Sequence, residues 1–163
     1  MRTVLFICTG NTCRSPMAEA LARHASRRGE LDALPDGRTI FFASAGVAAW
    51  DGSPVSSEAL QALSAMGVEH DGHSKRLTAA MIRKADRVLV MTEAHAAAAR
   101  RLVEDDPAQQ AKVQLLAVDE PIEDPVGQGP DAYHAVARRL KKLLPRRIVD
   151  TLSQELDSST IKR

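Results

Sequence analysis

The apolar residues of this chain follow two rhythms. Residues 3–7, 39–43, 87–91 and 114–118 are short, mainly apolar runs with no strict alternation of apolar and polar sides. Runs of this kind suit strands of a parallel sheet that is buried on both faces. Between them, apolar residues recur at helical spacing. Met17, Ala18, Leu21, Ala22 and Ala25 form one stripe after a Ser15-Pro16 start, proline being suited to the first helical turn. Ala59, Leu60, Leu63 and Met66 form a second after Ser53-Pro54, with Gly67 as its stop. Shorter helices are predicted from Thr78, and from Thr92 to about Leu102. A long helix from about Asp131 carries Val136, Leu140, Leu143 and Leu144 on one side, and Pro145 is expected to kink or restart it. Residues 30–38 read as loop.

Strands that alternate with helices predict an α/β fold with a parallel sheet and right-handed crossovers. The length, 163 residues, suits one domain. The expected division is a domain over residues 1–157 and a frayed tail over 158–163. In sheets of this type ligands bind beyond the carboxyl ends of the strands, which directs attention to the turns there.

Composition narrows the function classes. Hydrophobic residues are 44% and charged residues 26% of the chain, as in ordinary soluble domains. A net charge of +1 supplies no global field for nucleic acid or a membrane surface, so neither is expected as a partner and any anion recognition must be local. The basic run over residues 137–147 reads as the wet face of a helix. Two cysteines, Cys8 and Cys13, make neither a disulfide scaffold nor a four-ligand zinc site. They suit a reducing compartment, and no apolar stretch reaches the length of a signal-peptide core or a membrane span, so a cytoplasmic protein is expected. The histidines of "HDGH", His70 and His73, lack a third ligand, and no metal is expected.

The chemistry-bearing stretch is "CTGNTCRS", residues 8–15, at the turn from the first strand into the first helix. The backbone N–H groups of residues 9–15 have no strand partner there, and they feed into a helix N-terminus. Converging dipoles and unpaired donors favour an anion. Thr9, Gly10, Asn11, Thr12, Cys13, Arg14 and Ser15 form this candidate phosphate cradle. Gly10 and Asn11 tolerate positive φ, and Arg14 adds a two-pronged donor suited to phosphoryl oxygens. The same field favours the thiolate of Cys8, the nucleophilic form. A hydroxyl at Ser15 is placed to bond the sulfur and ease its later departure. A sulfur nucleophile on the floor of an oxyanion cradle points to attack on phosphorus. No Walker phosphate loop occurs.

"CTGNTCRS" is a C-x5-R-[ST] signature, and with "PMAEA" after it the chain resembles the low-molecular-weight protein tyrosine phosphatase family. "SAG" at 44–46, "GSPVS" at 52–56, "HSKRL" at 73–77 and Asp124-Pro125 follow in family order, over nearly the whole chain. The resemblance implies a three-layer α/β/α fold with a four-stranded parallel sheet in order 2-1-3-4. It implies a two-step hydrolysis without metal or cofactor, in which Cys8 becomes phosphocysteine, Arg14 and the loop amides hold the phosphoryl oxygens, and phosphorylated proteins are the substrates. It places the general acid at Asp124; by composition alone Asp119, Glu120, Glu123 and Asp131 are equal candidates. It further implies loop bracing by Asn11 and Ser44, and reversible protection of Cys8 by a disulfide to Cys13.

Two departures bear on the substrate. Thr12 stands where tyrosine phosphatases of the family typically carry an aliphatic residue, and "VGQG" follows Asp124-Pro125 where they carry aromatics. Both resemble the protein-arginine phosphatase branch, although that branch usually has Phe at the position of Val126. Phosphoarginine offers guanidinium N–H donors, and Thr12 supplies an acceptor. Thr12, Val126 and Trp50, in the loop after the second strand, are therefore the candidate selectivity residues. The expectation is a cysteine-dependent phosphatase that prefers phosphoarginine, with phosphotyrosine as the alternative substrate. The alternative of another class is a non-catalytic phosphate-binding or redox-sensing module. Thiol-linked arsenate reduction needs a relay of further cysteines that this chain lacks. The sequence carries no indication of oligomeric state.

Overall fold

The computed structural model describes residues 1–31, 34 and 37–160, with side chains through 154. The elements run β1 (Arg2–Cys8), α1 (Arg14–Arg27), β2 (Ile40–Gly46), α2 (Ser57–Ser64), α3 (Ala79–Lys84), β3 (Arg87–Val90), α4 (Glu93–Arg101), α5 (Pro107–Gln110), β4 (Val113–Leu115) and α6 (Pro130–Thr160). The strands form one sheet in the order β2-β1-β3-β4, every neighbouring pair parallel. Helices cover both faces, which gives the expected three layers.

Alternation along β1 builds the two cores. Val4, Phe6 and Cys8 face one layer, with Met17 and Leu21 of α1, Leu63 of α2, and Leu140 and Leu144 of α6. Leu5 and Ile7 face the other, with Ile82 of α3 and Ala96 and Ala99 of α4. Successive strand residues point to opposite faces, so covering both faces demands the continuous apolar run seen in the sequence. Phe6 and Phe42 stack across β1 and β2 with ring centroids 6.2 Å apart.

Several boundaries differ from the sequence reading. Strand β2 runs on through Ser44 and Gly46, because Phe6 pairs with Ser44 and Cys8 with Gly46; a polar residue is tolerated there because it is bonded internally. Strand β4 ends at Leu115 rather than continuing to residue 118, and Val118 is exposed. Helix α2 does not start at Ser53-Pro54. Pro54 instead bridges to His73, and Ser56 is the N-cap, its side chain accepting from the Ala59 N–H. Leu60 consequently leaves the inner face and is exposed. The short α5, capped by Asp106 with Pro107 in its first turn, has no counterpart in the sequence reading. Helix α6 continues through Pro145 without a restart. The carbonyl that Pro145 leaves unpaired belongs to Lys141, an exposed residue, so the lost bond falls on the solvent side of the helix, where its cost is small. The helix also reaches Thr160, past the expected domain boundary at 157. Residues 161–163 of the expected tail, and 32, 33, 35 and 36 of the expected loop, lie outside the described residues.

Candidate active site

Cys8 ends β1 and is 3% exposed. The loop after it is fastened by its carbonyls. Val47 N–H donates to Cys8 O at 3.0 Å, Ala48 N–H to Thr9 O at 2.9 Å, Ser56 N–H to Thr12 O at 2.9 Å and Met17 N–H to Cys13 O at 3.1 Å. With those carbonyls bonded outward, the amides of residues 9–13 donate to no acceptor among the described residues. They feed into the N-terminus of α1, an arrangement that attracts an anion.

Asn11 sets the curvature. It is the described non-glycine residue with positive φ, at 56°. Its side chain secures that conformation: Oδ1 accepts the Lys75 N–H at 2.8 Å, and Nδ2 reaches Ser15 Oγ and Ser44 Oγ, each at 2.9 Å. Gly46 makes room behind the loop, since a Cβ there would stand 2.4 Å from Thr9 O and 2.9 Å from Asn11 N.

Ser15 Oγ lies 2.9 Å from Cys8 Sγ, as anticipated. Behind it a buried polar chain continues. Ser44 donates to Glu19 Oε2, and Glu19, 4% exposed, is paired with Arg23. Sequence reasoning missed Glu19; its one local signal is the arginine four residues later on α1.

Arg14 is 4% exposed. Its Nη1 donates to Ile122 O at 2.9 Å and its Nη2 lies 3.4 Å from Thr9 Oγ1. Ile122, fully buried, is anchored by its N–H to Met91 O at 3.0 Å. Arg139 of α6 donates to the carbonyls of Pro121 and Glu120 at 2.7 and 2.9 Å. These ties bring Asp124 over the cradle, with Oδ2 3.6 Å from Arg14 Nη2. Its Oδ1 accepts the Val126 N–H at 3.1 Å. Among the five acidic candidates, the salt bridge to Arg14 belongs to Asp124, while Glu120 pairs with Arg139 at 3.7 Å.

The remaining expected residues are dispersed. Thr12 is half-buried on the loop. Val126 and Trp50 are exposed, Trp50 by 82%, so neither is packed into a wall. Cys13 is a buried free thiol, as is Cys8; its Sγ lies 3.4 Å from Ser56 Oγ and donates to Tyr133 Oη at 3.6 Å. Burial, and then the neighbouring Cys13 sulfur, push the Tyr133 hydroxyl up to a pKa of about 12.

His95, also missed, stands on α4 behind the loop. Its Nε2 is 2.8 Å from Thr9 Oγ1 and its Nδ1 is 3.1 Å from Thr92 Oγ1. Burial, then the charge of Arg14, lowers its pKa to about 4 against a smaller opposing pull from Asp124. The available signal is positional: Thr92 caps a helix that follows β3, whose carboxyl end adjoins that of β1.

Comparison with known proteins bears on the family and the fold. Residues 3–158 match the family described as "Low molecular weight phosphotyrosine protein phosphatase". A protein-arginine-phosphatase of Geobacillus stearothermophilus is 35% identical over 148 residues, 88% of this chain and 91% of that protein. A probable low molecular weight protein-tyrosine-phosphatase, EpsP, of Ralstonia solanacearum is 30% identical over 153 residues, 90% of this chain and 96% of that protein. Among solved structures, a YwlE arginine phosphatase mutant with a phosphorylated active-site serine superposes with a TM-score of 0.79 at 30% identity, covering 93% of this chain and 95% of that one.

Proposed function

The chain belongs to the low-molecular-weight phosphotyrosine protein phosphatase family, and from that premise we propose that it hydrolyses phosphoarginine in proteins in preference to phosphotyrosine, through a phosphocysteine on Cys8. Family membership makes it a cysteine-dependent hydrolase of phosphorylated proteins; its relatives are named for both substrates. One observation carries the preference for arginine. It is Thr12, half-buried on the cradle at the position where tyrosine phosphatases of the resembled family typically carry an aliphatic residue; exposed Val126 adds only that no aromatic face follows Asp124-Pro125. A phenol ring finds no stacking wall in that segment, whereas a guanidinium finds acceptors in the Thr12 hydroxyl and the carbonyl oxygen of the protonated Asp124 carboxyl.

In the proposed reaction the Cys8 thiolate attacks phosphorus from the floor of the loop. The S–P bond forms as the P–N bond breaks, and Asp124 gives its proton to the departing guanidine nitrogen. The loop amides and Arg14 hold the three equatorial oxygens throughout, so catalysis is positioning plus fixed electrostatics. Asp124, now a carboxylate, takes a proton from water as the water oxygen attacks phosphorus. The S–P bond breaks, Ser15 donates to the returning thiolate, and inorganic phosphate leaves. Two free thiols accord with a reducing, cytoplasmic setting.

The test is competitive hydrolysis of matched phosphoarginine and phosphotyrosine peptides. A higher kcat/KM for phosphoarginine is expected. A higher value for phosphotyrosine would overturn the preference and leave the phosphatase standing.

A further inference from the structure

Thr9, the residue after the nucleophile, is exposed, yet its hydroxyl oxygen has two protein partners. Arg14 Nη2 lies 3.4 Å away and His95 Nε2 2.8 Å away. His95 is 4% exposed, and its other ring nitrogen is 3.1 Å from Thr92 Oγ1. The Thr92 oxygen also accepts the His95 backbone N–H at 3.4 Å. The imidazole is thus held at both nitrogens, between two hydroxyls, one of which borders the cradle.

Two proton arrangements satisfy these contacts. In the first, His95 Nδ1–H donates to Thr92, and Thr9 gives its own proton to Nε2. The Thr9 oxygen then turns a lone pair toward whatever occupies the loop. In the second, the Thr92 hydroxyl donates to Nδ1 and Nε2–H donates to Thr9. Arg14 donates to the Thr9 oxygen in both. Only in the second are both acceptor positions of Thr9 filled from the protein side, which leaves its proton as the group still to be placed. A phosphoryl anion repels a lone pair and attracts a donor, so it selects the second arrangement.

From this geometry we propose that His95 is a positioning residue: by donating from Nε2 to Thr9 it turns the Thr9 hydroxyl into an added donor to a phosphoryl oxygen. The loop amides and Arg14 then do not act alone, because a side-chain hydroxyl oriented from α4 completes their ring. The scheme requires a neutral ring, free to carry its proton on Nε2. Burial and the adjacent Arg14 keep it so, with a pKa of about 4. The other groups facing the ring are the Thr9 and Thr92 hydroxyls and Asp124, whose influence is the smaller of the two neighbouring charges.

The proposal rests on the phosphatase reading of the Cys8 loop, so its test separates binding from turnover. Inorganic phosphate affinity is measured by titration calorimetry in a Cys8→Ser background. There His95→Phe should weaken phosphate binding by about 10-fold or more, the scale of one lost hydrogen bond to a charged group. His95→Gln, which keeps a donor near Nε2, should recover most of that loss. Thr9→Val should show the same loss, and adding His95→Phe to Thr9→Val should cost nothing further. Unchanged affinity in His95→Phe, no recovery in His95→Gln, or independent losses in the double variant would each overturn the proposal. If His95→Phe does not fold, Thr9→Val alone decides, and unchanged phosphate affinity in that variant overturns the proposal. Turnover of an aryl phosphate by Cys8→Ser would instead sink the phosphatase reading, while phosphate affinity still reports on His95.

Discussion

Arg14 Nη2 stands 3.6 Å from Asp124 Oδ2, which joins the loop that follows β1 to the loop that follows β4. The two side chains differ in exposure, 5% for Arg14 and 50% for Asp124. The guanidinium is therefore fixed inside while the carboxylate faces the mouth. In the proposed reaction, a phosphoryl group seated on Arg14 would turn its leaving group toward Asp124.

Asp124→Asn should therefore slow the chemistry in proportion to leaving-group basicity. A loss of about 100-fold or more is expected for poor leaving groups, and much less for a nitrophenol. Aryl phosphates of graded acidity give the slope directly. Equal losses across the series would remove Asp124 from the role of acid.

Cys8→Ser should abolish turnover yet keep phosphate affinity, because the cradle amides and Arg14 are untouched. Calorimetry with inorganic phosphate reads the second half. Loss of binding along with turnover would mean that the variant disturbs the loop and not the nucleophile alone.

Thr12→Ile should lower the ratio of phosphoarginine to phosphotyrosine activity by about 10-fold or more, since a desolvated guanidinium loses an acceptor. If the ratio holds, Thr12 plays no part in selectivity.

Gly46→Ala should damage the site from behind. The added Cβ meets backbone, with Thr9 O 2.4 Å away and Asn11 N 2.9 Å away, and neither atom belongs to a flexible side chain. A stability cost of about 1–3 kcal/mol is expected, together with a fall in kcat/KM. A fully active, fully stable variant would show that the loop tolerates a shift.

His95 predicts an acid-sensitive component of stability. Its pKa is about 4 in the fold and about 6.5 unfolded. Between those values the unfolded chain binds the proton and the folded one does not. Stability should fall as pH drops from 6.5 to 4, by at most about 1.4 kcal/mol per unit, and the group contributes no slope above 6.5. Burial lowers the pKa of His70 as well, which adds a loss of the same sign. Urea midpoints from pH 4.5 to 7.5 should therefore be flatter in His95→Gln than in the native chain; identical curves would contradict this account.

What the sequence showed depended on how local each feature was. The β1 run, the cradle and the α1 stripe occupy consecutive residues, so apolar pattern and motif revealed them together. The resemblance singled out Asp124; composition left five carboxylates equal, because the choice depends on a contact made 110 residues after Arg14. His95 and Glu19 escaped because their partners, Thr9 and Ser44, lie 86 and 25 residues away and no periodicity reports such distances. The start of α2 was misplaced because Ser-Pro at 53–54 carries the same local signal as Ser-Pro at 15–16. A bridge to His73 decides the matter instead.

Sheet order has one more consequence. Cys8, the proposed nucleophile, ends β1, which is hydrogen-bonded to a strand on either side, whereas Asp124, the proposed acid, lies on the segment that follows β4, three residues long at the rim. Rim strands open at lower free energy than interior ones. Mild denaturant or warming should therefore detach the proton donor first, giving an enzyme that still grips phosphate but cleaves only esters able to leave unaided.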